Sequence, residues 1–446
     1  MQGDRLDFYH GALGSRVGQE NAGPKRLFSA RRLALGLTAW SLLVAGCSGS
    51  GRDLELPEPP IVFTHVNVIP MSRDTVLADH AVVIRDGVIT ALAPMKRFEA
   101  PPEARLIQAD GAFLLPGLAD MHVHVGSGPI GEEGLEPVDS PDQLLAFVVN
   151  GVTTVRNMRG RPAELKLRDR IDSGETLGPR FYTAGPVLGA TGLGDLGAPV
   201  RTAQDVEAAI REQNEAGYDL IVLGGEMPPE VLRRVFAVSV EVGTRIAGHA
   251  QSPDDPHDSA ALASFEHLRG LTRLVAEGED FLDSEAFEVL EEWSTPITTT
   301  LVGWDAAGFD PAGDEPAAGE DRWKTLSLYV RELSRAGVPL LLGTDAASLA
   351  EYGATVHEEL QELVAAGLSS YEALRTATVY PAEWLGSGKR RGTIGPNREA
   401  DLLLLAANPL DDIANTQSIL GVMLRGKWHD RAVLDGLVER IGRIPH

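Results

Sequence analysis

One rhythm restricts the fold of this chain more than any other feature. Between residues 113 and 392, short apolar runs alternate with amphipathic stretches, and the unit recurs eight times. The apolar runs, expected as strands, are 114–125, 152–157, 180–185, 219–224, 245–250, 264–268, 297–303 and 339–345. The stretches between them carry helix punctuation. TAQDVEAAIREQNEAG (202–217) has an acid-rich start and stops on glycine, and VHEELQELVAAG ends at Gly367. The next helix opens with a capping box from Ser369 to Glu372 and runs to about Thr378, before Pro381. Eight strand–helix units fit an α/β fold, a (β/α)8 TIM barrel, for which about 250 residues is typical. An open doubly wound sheet is the other arrangement of the same units.

The flanks have a different period. IVFTHVNVI, HAVVIRDGVITALAP and RLIQADGAFLLPG alternate apolar and polar residues, with turns at Asp86-Gly87 and Asp110-Gly111. Strand-like runs return at 400–408 and 419–430. The simplest organisation is a small β-sandwich domain built from both chain ends, residues 61–112 and 393–446, with the 113–392 barrel inserted between them. Apolar residues at 43% supply a sizeable core, and a formal charge of −24 argues against a nucleic-acid partner. The single cysteine excludes an internal disulfide and any zinc site made of several thiolates.

That cysteine, Cys47, sits at the end of a targeting pattern. Lys25, Arg26, Arg31 and Arg32 precede an apolar run from Leu33 to Ala45, too short for a comfortable membrane span. Val44-Ala45-Gly46-Cys47 resembles a bacterial lipobox, which implies a lipoprotein-type signal peptide over 1–46 and a lipid on Cys47. A plain secretory signal with a chance cysteine, or an uncleaved anchor, are the other readings. Ser48 to Pro60 reads as a tether, flexible at its Gly/Ser start and stiff at its Pro-rich end. Ser48 after the cysteine points, by the same resemblance, to the outer membrane of a bacterial cell envelope, outside the cytosol.

The chemistry-bearing residues fall at strand ends. His122 and His124 end the first run, His249 the fifth, His267 the sixth and Asp345 the eighth. Residues two apart on a strand face the same side, so His122 and His124 can bind one cation together. In a barrel the carboxyl ends of all strands converge on one face. Each residue alone has a plainer reading: a satisfied core histidine, or an aspartate capping a turn after Gly-Thr. Four separate strand ends with ligand-type side chains point instead to a divalent metal, zinc or a similar borderline ion.

These residues lie in motifs that resemble the metal-dependent amidohydrolases, nearest the imidazolonepropionase-like and Xaa-Pro dipeptidase-like branches. LLPGLADMHVH (114–124), GVTTVRNM (151–158), DSGETLGPRFYTAGP (172–186), GHA (248–250), FEHL (265–268), LLGTDAA (341–347) and ADLLLLAANPLDDI (400–413) carry the resemblance. It implies His122, His124 and Asp345 on one metal and His249 and His267 on a second. It also implies attack by a metal-activated hydroxide, with Asp345 as catalytic proton shuttle from water to the leaving amine. The plainer role for Asp345 is that of a metal ligand alone.

The chain departs from that pattern at the fourth strand. Relatives with two metals carry a bridging lysine there, and here Asp219-Leu220-Ile221-Val222 puts Val222 in its place. The site is therefore expected to hold one ion, or two joined by hydroxide or another acid, with Glu226 the nearest candidate. Asn157 stands where relatives often show Asp. Gly189 to Gly197 and Trp304 to Glu320 are expected to shape the substrate rim, and His357 either touches substrate or only starts a helix. The expected activity is hydrolysis of a C–N bond in an amide, a small peptide or a cyclic amide. The rivals are a mononuclear ring-opening hydrolase or deaminase of a heterocycle, and a non-catalytic ligand-binding surface lipoprotein.

Overall fold

The computed structural model describes residues 58–126, 141–189, 196–225, 227–249, 251, 256–274, 280–302 and 320–443. The two chain ends meet in one mixed sheet. From the N-terminal side it contains β1 (Ile61–Val68), β2 (Leu77–Arg85), β3 (Val88–Pro94), β4 (Arg105–Gln108) and β5 (Phe113–Pro116). The strands β6 to β15, described below, belong to the middle of the chain. The C-terminal side adds β16 (Leu402–Leu405), β17 (Ile419–Leu424) and β18 (Lys427–Asp430). The pairing order is β18-β17-β16-β5-β1-β2-β3, with β4 also on β1. β1 changes partner halfway: Ile61–Thr64 pair with β4, then Asn67 and Val68 with β5. His65, with φ of 53°, marks the change.

Alternate residues of these strands turn to one core: Phe63, Val82, Ile84, Leu114, Leu402, Leu404 and Met423 are all buried together. Each such burial is worth about 1.5–3 kcal/mol relative to exposure. The sheet is not flat. β1 and β18 are four strands apart in pairing order, which would be about 19 Å in a plane. Yet the Phe63 and Trp428 rings meet edge to face at 5.1 Å between centroids. One continuous sheet thus curls over its own core, where two separately paired layers were expected.

The middle of the chain supplies parallel strands. β6 (Leu118–Val123), β7 (Val152–Asn157) and β8 (Arg180–Thr183) form one sheet in that order. A second sheet runs β10-β9-β11-β12-β13-β14-β15. Its members are β9 (Val187–Leu188), β10 (Gly197–Ala198), β11 (Ile221–Leu223), β12 (Ile246–Gly248), β13 (Ser264–Glu266), β14 (Ile297–Thr298) and β15 (Leu340–Leu341). Isolated bridges Ala184↔Leu220 and Val123↔Ala346 adjoin the two sheets. With helices between most successive strands, this is an α/β fold of TIM-barrel type.

The expected run 114–125 is two strands, β5 in the curled sheet and β6 in the parallel one, divided at Gly117. A Cβ on Gly117 would lie 2.3 Å from the Thr153 side chain, so the corner admits only glycine. The seventh and eighth runs are shorter as ladders than their apolar stretches suggest. Beyond Thr298 and Leu341 the backbone turns through left-handed residues, Thr300 and Asp345. Helix punctuation follows the sequence. Thr202 Oγ1 accepts from the Asp205 amide (3.2 Å) at the start of Ala203–Ala216, and Gly217 ends it at φ 91°. Ser369 and Glu372 cap Ser370–Thr376 reciprocally. Among the described residues, no helix is long and apolar enough to cross a membrane.

Candidate metal centre

The first and eighth strands bring the paired histidines to the aspartate. Met121 N donates to Leu342 O, Asp345 N to His122 O and His124 N to Ala346 O, each at 2.8 Å. This register leaves Asp345 Oδ1 at 2.8 Å from His124 Nε2 and 3.4 Å from His122 Nε2. Gly343 makes the approach sterically allowed, because a Cβ there would sit 2.7 Å from His122 Cβ and 2.5 Å from Thr298 Cγ2. The sixth strand adds His267, whose ring lies 4.5 Å from that of His122, and His249 lies 5.1 Å from His267. One potential ligand atom from each of His122, His267 and Asp345 falls within 4.8 Å of the others. This trio joins His267 of the sixth strand to the first-strand His122 and to Asp345.

The outer atoms of these rings are held by a buried network. His122 Nδ1 lies 2.8 Å from Glu266 Oε2, and His267 Nδ1 lies 2.8 Å from Thr300 Oγ1. Fixing Nδ1 sets the tautomer and makes Nε2 the atom that would coordinate an ion. Glu266 in turn accepts from Arg156 Nη2 at 2.8 and 3.0 Å and from Ser264 Oγ at 2.6 Å. Arg156 is fully buried and also donates to Ser264 Oγ (2.8 Å) and Thr298 Oγ1 (3.1 Å). Asp120, two residues before His122, accepts from the His122 amide, the Thr344 amide and the Thr344 hydroxyl at 3.2, 3.1 and 2.6 Å. It thereby ties the first strand to the turn carrying Asp345.

Burial and charge set the protonation states. Burial alone would raise the Asp345 carboxyl, but the His124 hydrogen bond and the nearby His267 and His122 hold it below the ordinary carboxylate range. Burial, with the Arg159 charge nearby, pushes His124 down to about 3, so its ring is neutral and still donates to the carboxylate. Burial opposes ionisation of Glu266 too, yet Arg156 and His122 bring it down to about 2. Asp120 is raised to about 7 by burial, against its hydrogen bonds. Three residues here hold left-handed backbone without being glycine: His267 (φ 68°), Thr300 (φ 49°) and Asp345 (φ 59°). Such conformations are uncommon outside glycine and concentrate at functional sites.

All five expected ligand residues are thus brought to one mouth, either onto Asp345 or onto a neighbouring ligand ring. An ionised carboxylate and converging imidazoles are the donor set of a borderline divalent ion, so the residues present fit such a group. Val222 is buried with Met158, Ala184, Val187, Leu220 and Ala247, an apolar setting with no bridging atom to offer. Asn157 uses its amide fully: Oδ1 accepts from Val125 N at 2.8 Å, and Nδ2 donates to Arg159 O and Thr183 Oγ1. An aspartate could not make both donations. His357 is a structural residue: Nδ1 lies 2.9 Å from Thr416 Oγ1 and Nε2 lies 3.1 Å from Asn150 O. Cys47, Glu226, most of Gly189–Gly197 and nearly all of Trp304–Glu320 lie outside the described residues.

Glu266, Arg156 and Asp120 were not singled out from the sequence, although each left a signal. Arg156 interrupts an apolar strand run, and a guanidinium buried there requires a carboxylate. Glu266 immediately precedes His267, and Asp120 stands two before His122 on the same strand face.

Comparison with known proteins bears on the family of the chain. The amidohydrolase family profile matches residues 113–429. An uncharacterised protein of Mycobacterium tuberculosis is 26% identical over 348 residues, covering 71% of this chain and 85% of its own. An adenine deaminase of Paracoccus denitrificans is 28% identical over 192 residues, but that stretch is only 29% of the deaminase. Among solved structures, a Xaa-Pro dipeptidase with methionine in its active site superposes with a TM-score of 0.69 at 22% identity, over 83% of this chain and all of its own. Molinate hydrolase gives 0.71 at 20% identity, over 88% and 98%. At these identities the structural likenesses speak for the fold. The profile spans well over half of the sequence, and the chain belongs to the amidohydrolase family, hydrolytic enzymes acting on carbon–nitrogen bonds.

Proposed function

We propose that the protein hydrolyses a C–N bond in an amide, a small peptide or a cyclic amide, with a divalent ion, zinc or a close relative, held by His122, His124, His249, His267 and Asp345. The observation that carries this reading is the placement of Asp345 Oδ1 within 3.4 Å of two imidazole nitrogens from the far end of the strand series. A bound ion of this kind acidifies water and polarises a carbonyl. Asp345 supplies the proton traffic. Its carboxylate, ionised at neutral pH, takes a proton from the attacking water and returns it to the departing amine. Glu266 and Thr300 keep the imidazoles aimed, and Asp120 fixes the turn that carries Asp345. We also propose that the two parallel sheets close as a (β/α)8 barrel over 113–392, because the single bridges fall where closure requires them. The curled sheet, 61–112 with 393–446, is the accompanying sandwich-like domain. The test is a hydrolysis screen on N-acyl amino acids, dipeptides and cyclic amides, with and without added zinc. Turnover that depends on zinc supports the reading. Uniform inactivity in a protein that still binds a small molecule favours a non-catalytic binder.

A second reading is a mononuclear site that opens or deaminates a heterocycle. Val222 in its apolar cluster supports it, since a lysine bridge is absent there, and the matching stretch of adenine deaminase points to the same substrate class. Metal counting decides between them: two tightly held ions per chain exclude the mononuclear version. We further propose that Cys47 carries a lipid anchoring residues 47–60 as a tether to the outer membrane, with 1–46 removed. Cys47→Ser then releases the protein from membranes with its activity intact, and retention in the membrane fraction would refute the anchor.

A further inference from the structure

We propose that a second site, at the seam between the curled sheet and the helices following the eighth strand, binds a small multivalent oxyanion bearing phosphate or carboxylate groups. A cavity of about 340 Å³ opens there, and Arg375, Arg391 and Arg398 line it together with Tyr371 and Glu383. None of the five candidate metal ligands borders it. The volume lies at the lower end of the range for small-molecule sites, about 300–1,000 Å³.

The charge balance of the lining is the reason for the chemistry. Arg391 is part of a structural network: its Nε meets Glu399 Oε2 at 2.9 Å, and Glu399 is shared with Arg180 (2.8 Å) and Arg390 (3.1 Å). Arg375 and Arg398 are placed differently. The Arg375 guanidinium lies 4.5 Å over the Tyr380 ring, and Arg398 donates to the Gly388 carbonyl. Among the described residues, neither forms an ion pair with a carboxylate, and Glu383 is the one acid in the lining. With Arg391 neutralised by Glu399, Arg375 and Arg398 against Glu383 still leave an excess of positive charge, in a chain whose formal charge is −24. Planar guanidinium forks recognise oxyanions with paired hydrogen bonds, which a lysine cannot reproduce.

The cavity is also held open by fixed parts. The Tyr371 hydroxyl donates to Met71 O at 3.2 Å, from the helix to the segment that follows β1. Ile394 N donates to Pro70 O, just after β1, and Asn397 N to Ile89 O in β3, at 2.9 and 2.8 Å, so the loop carrying Arg398 is pinned at both ends. A ligand here bridges the two parts of the fold and stabilises their contact by mass action.

The experiment is calorimetric titration of the purified protein, once zinc-loaded and once treated with chelator. Inorganic phosphate and succinate serve as separate probes at constant chloride. One saturable binding event per chain in both metal states is expected, weakened at least tenfold by Arg375→Gln and by Arg398→Gln. Arg443→Gln, on an exposed side chain, leaves it unchanged. Preference for phosphate or succinate identifies the ligand source. Binding that disappears with the metal belongs to the metal centre and overturns the proposal, as does binding indifferent to both substitutions or absent with both probes. Crystals of the unaltered protein soaked in tungstate give an independent reading if a variant fails to fold. An anomalous peak between Arg375 and Arg398 supports the site, and an empty cavity refutes it.

Discussion

The curled sheet and the mouth of the parallel strands achieve order by opposite means. The sheet uses long strands, up to nine residues in β2, and fills its interior with Phe63, Leu114, Leu404 and similar side chains. The mouth uses shorter strands, from six residues in β6 and β7 down to two in β14 and β15, and fills its interior with Glu266, Arg156, Asp120 and the histidines. Apolar packing tolerates small errors in position because it is non-directional. A buried ionic network does not, because each unmatched atom costs free energy. The sheet therefore gives stability, and the mouth gives placement to within a hydrogen-bond length.

Four substitutions separate these roles. Asp345→Asn should lower hydrolysis about 10²–10⁴-fold, beyond what any loss of folded protein explains, read by turnover and by melting of the same sample. Wild-type turnover would break the contrast at its root. Glu266→Gln comes next and affects both properties. It leaves Arg156 buried without its counter-charge, for about 3–5 kcal/mol in urea unfolding. It also weakens metal affinity about 10–100-fold in chelator competition. Leu404→Ala should destabilise by about 2–5 kcal/mol yet keep kcat per folded molecule, and a lost kcat would mean that the sheet tunes the mouth.

The smallest effect concerns pH. Glu359 is buried, accepts from the Thr299 hydroxyl and from Val302 N, and is raised from 4.5 to about 7 mainly by burial. Its folded form binds a proton that the unfolded form releases first. The stability it contributes is full below pH 4.5 and lost as pH rises through about 7. The urea midpoint should decline over that interval, and Glu359→Gln should flatten part of the decline. Asp120, raised in the same window by the same cause, leaves the remainder. A decline identical in the variant would show that Glu359 does not contribute to it.

Much of the site was legible because ligands sit where the apolar rhythm ends. His122, His124, His267 and Asp345 each close a recognisable strand run, so their convergence follows from the fold alone. The supporting residues were harder to see. Arg156 and Glu266 are 110 positions apart, and only their shared burial makes them partners. The curl of the small sheet was illegible for a related reason. Alternation specifies which face of β1 is buried, but the Phe63–Trp428 contact depends on where β1 switches from β4 to β5. Helix ends were read well, since Thr202, Gly217 and Ser369 act on backbone groups within a few residues.

The ladder joining Asp345 N to His122 O has a bearing on how the protein matures. Its two halves emerge from synthesis more than two hundred residues apart. Until the last strand docks against the first, the nascent chain offers only scattered imidazoles, which grip cations weakly. On the proposed metal site, loading would thereby be deferred to the final act of folding, wherever in the cell that act takes place.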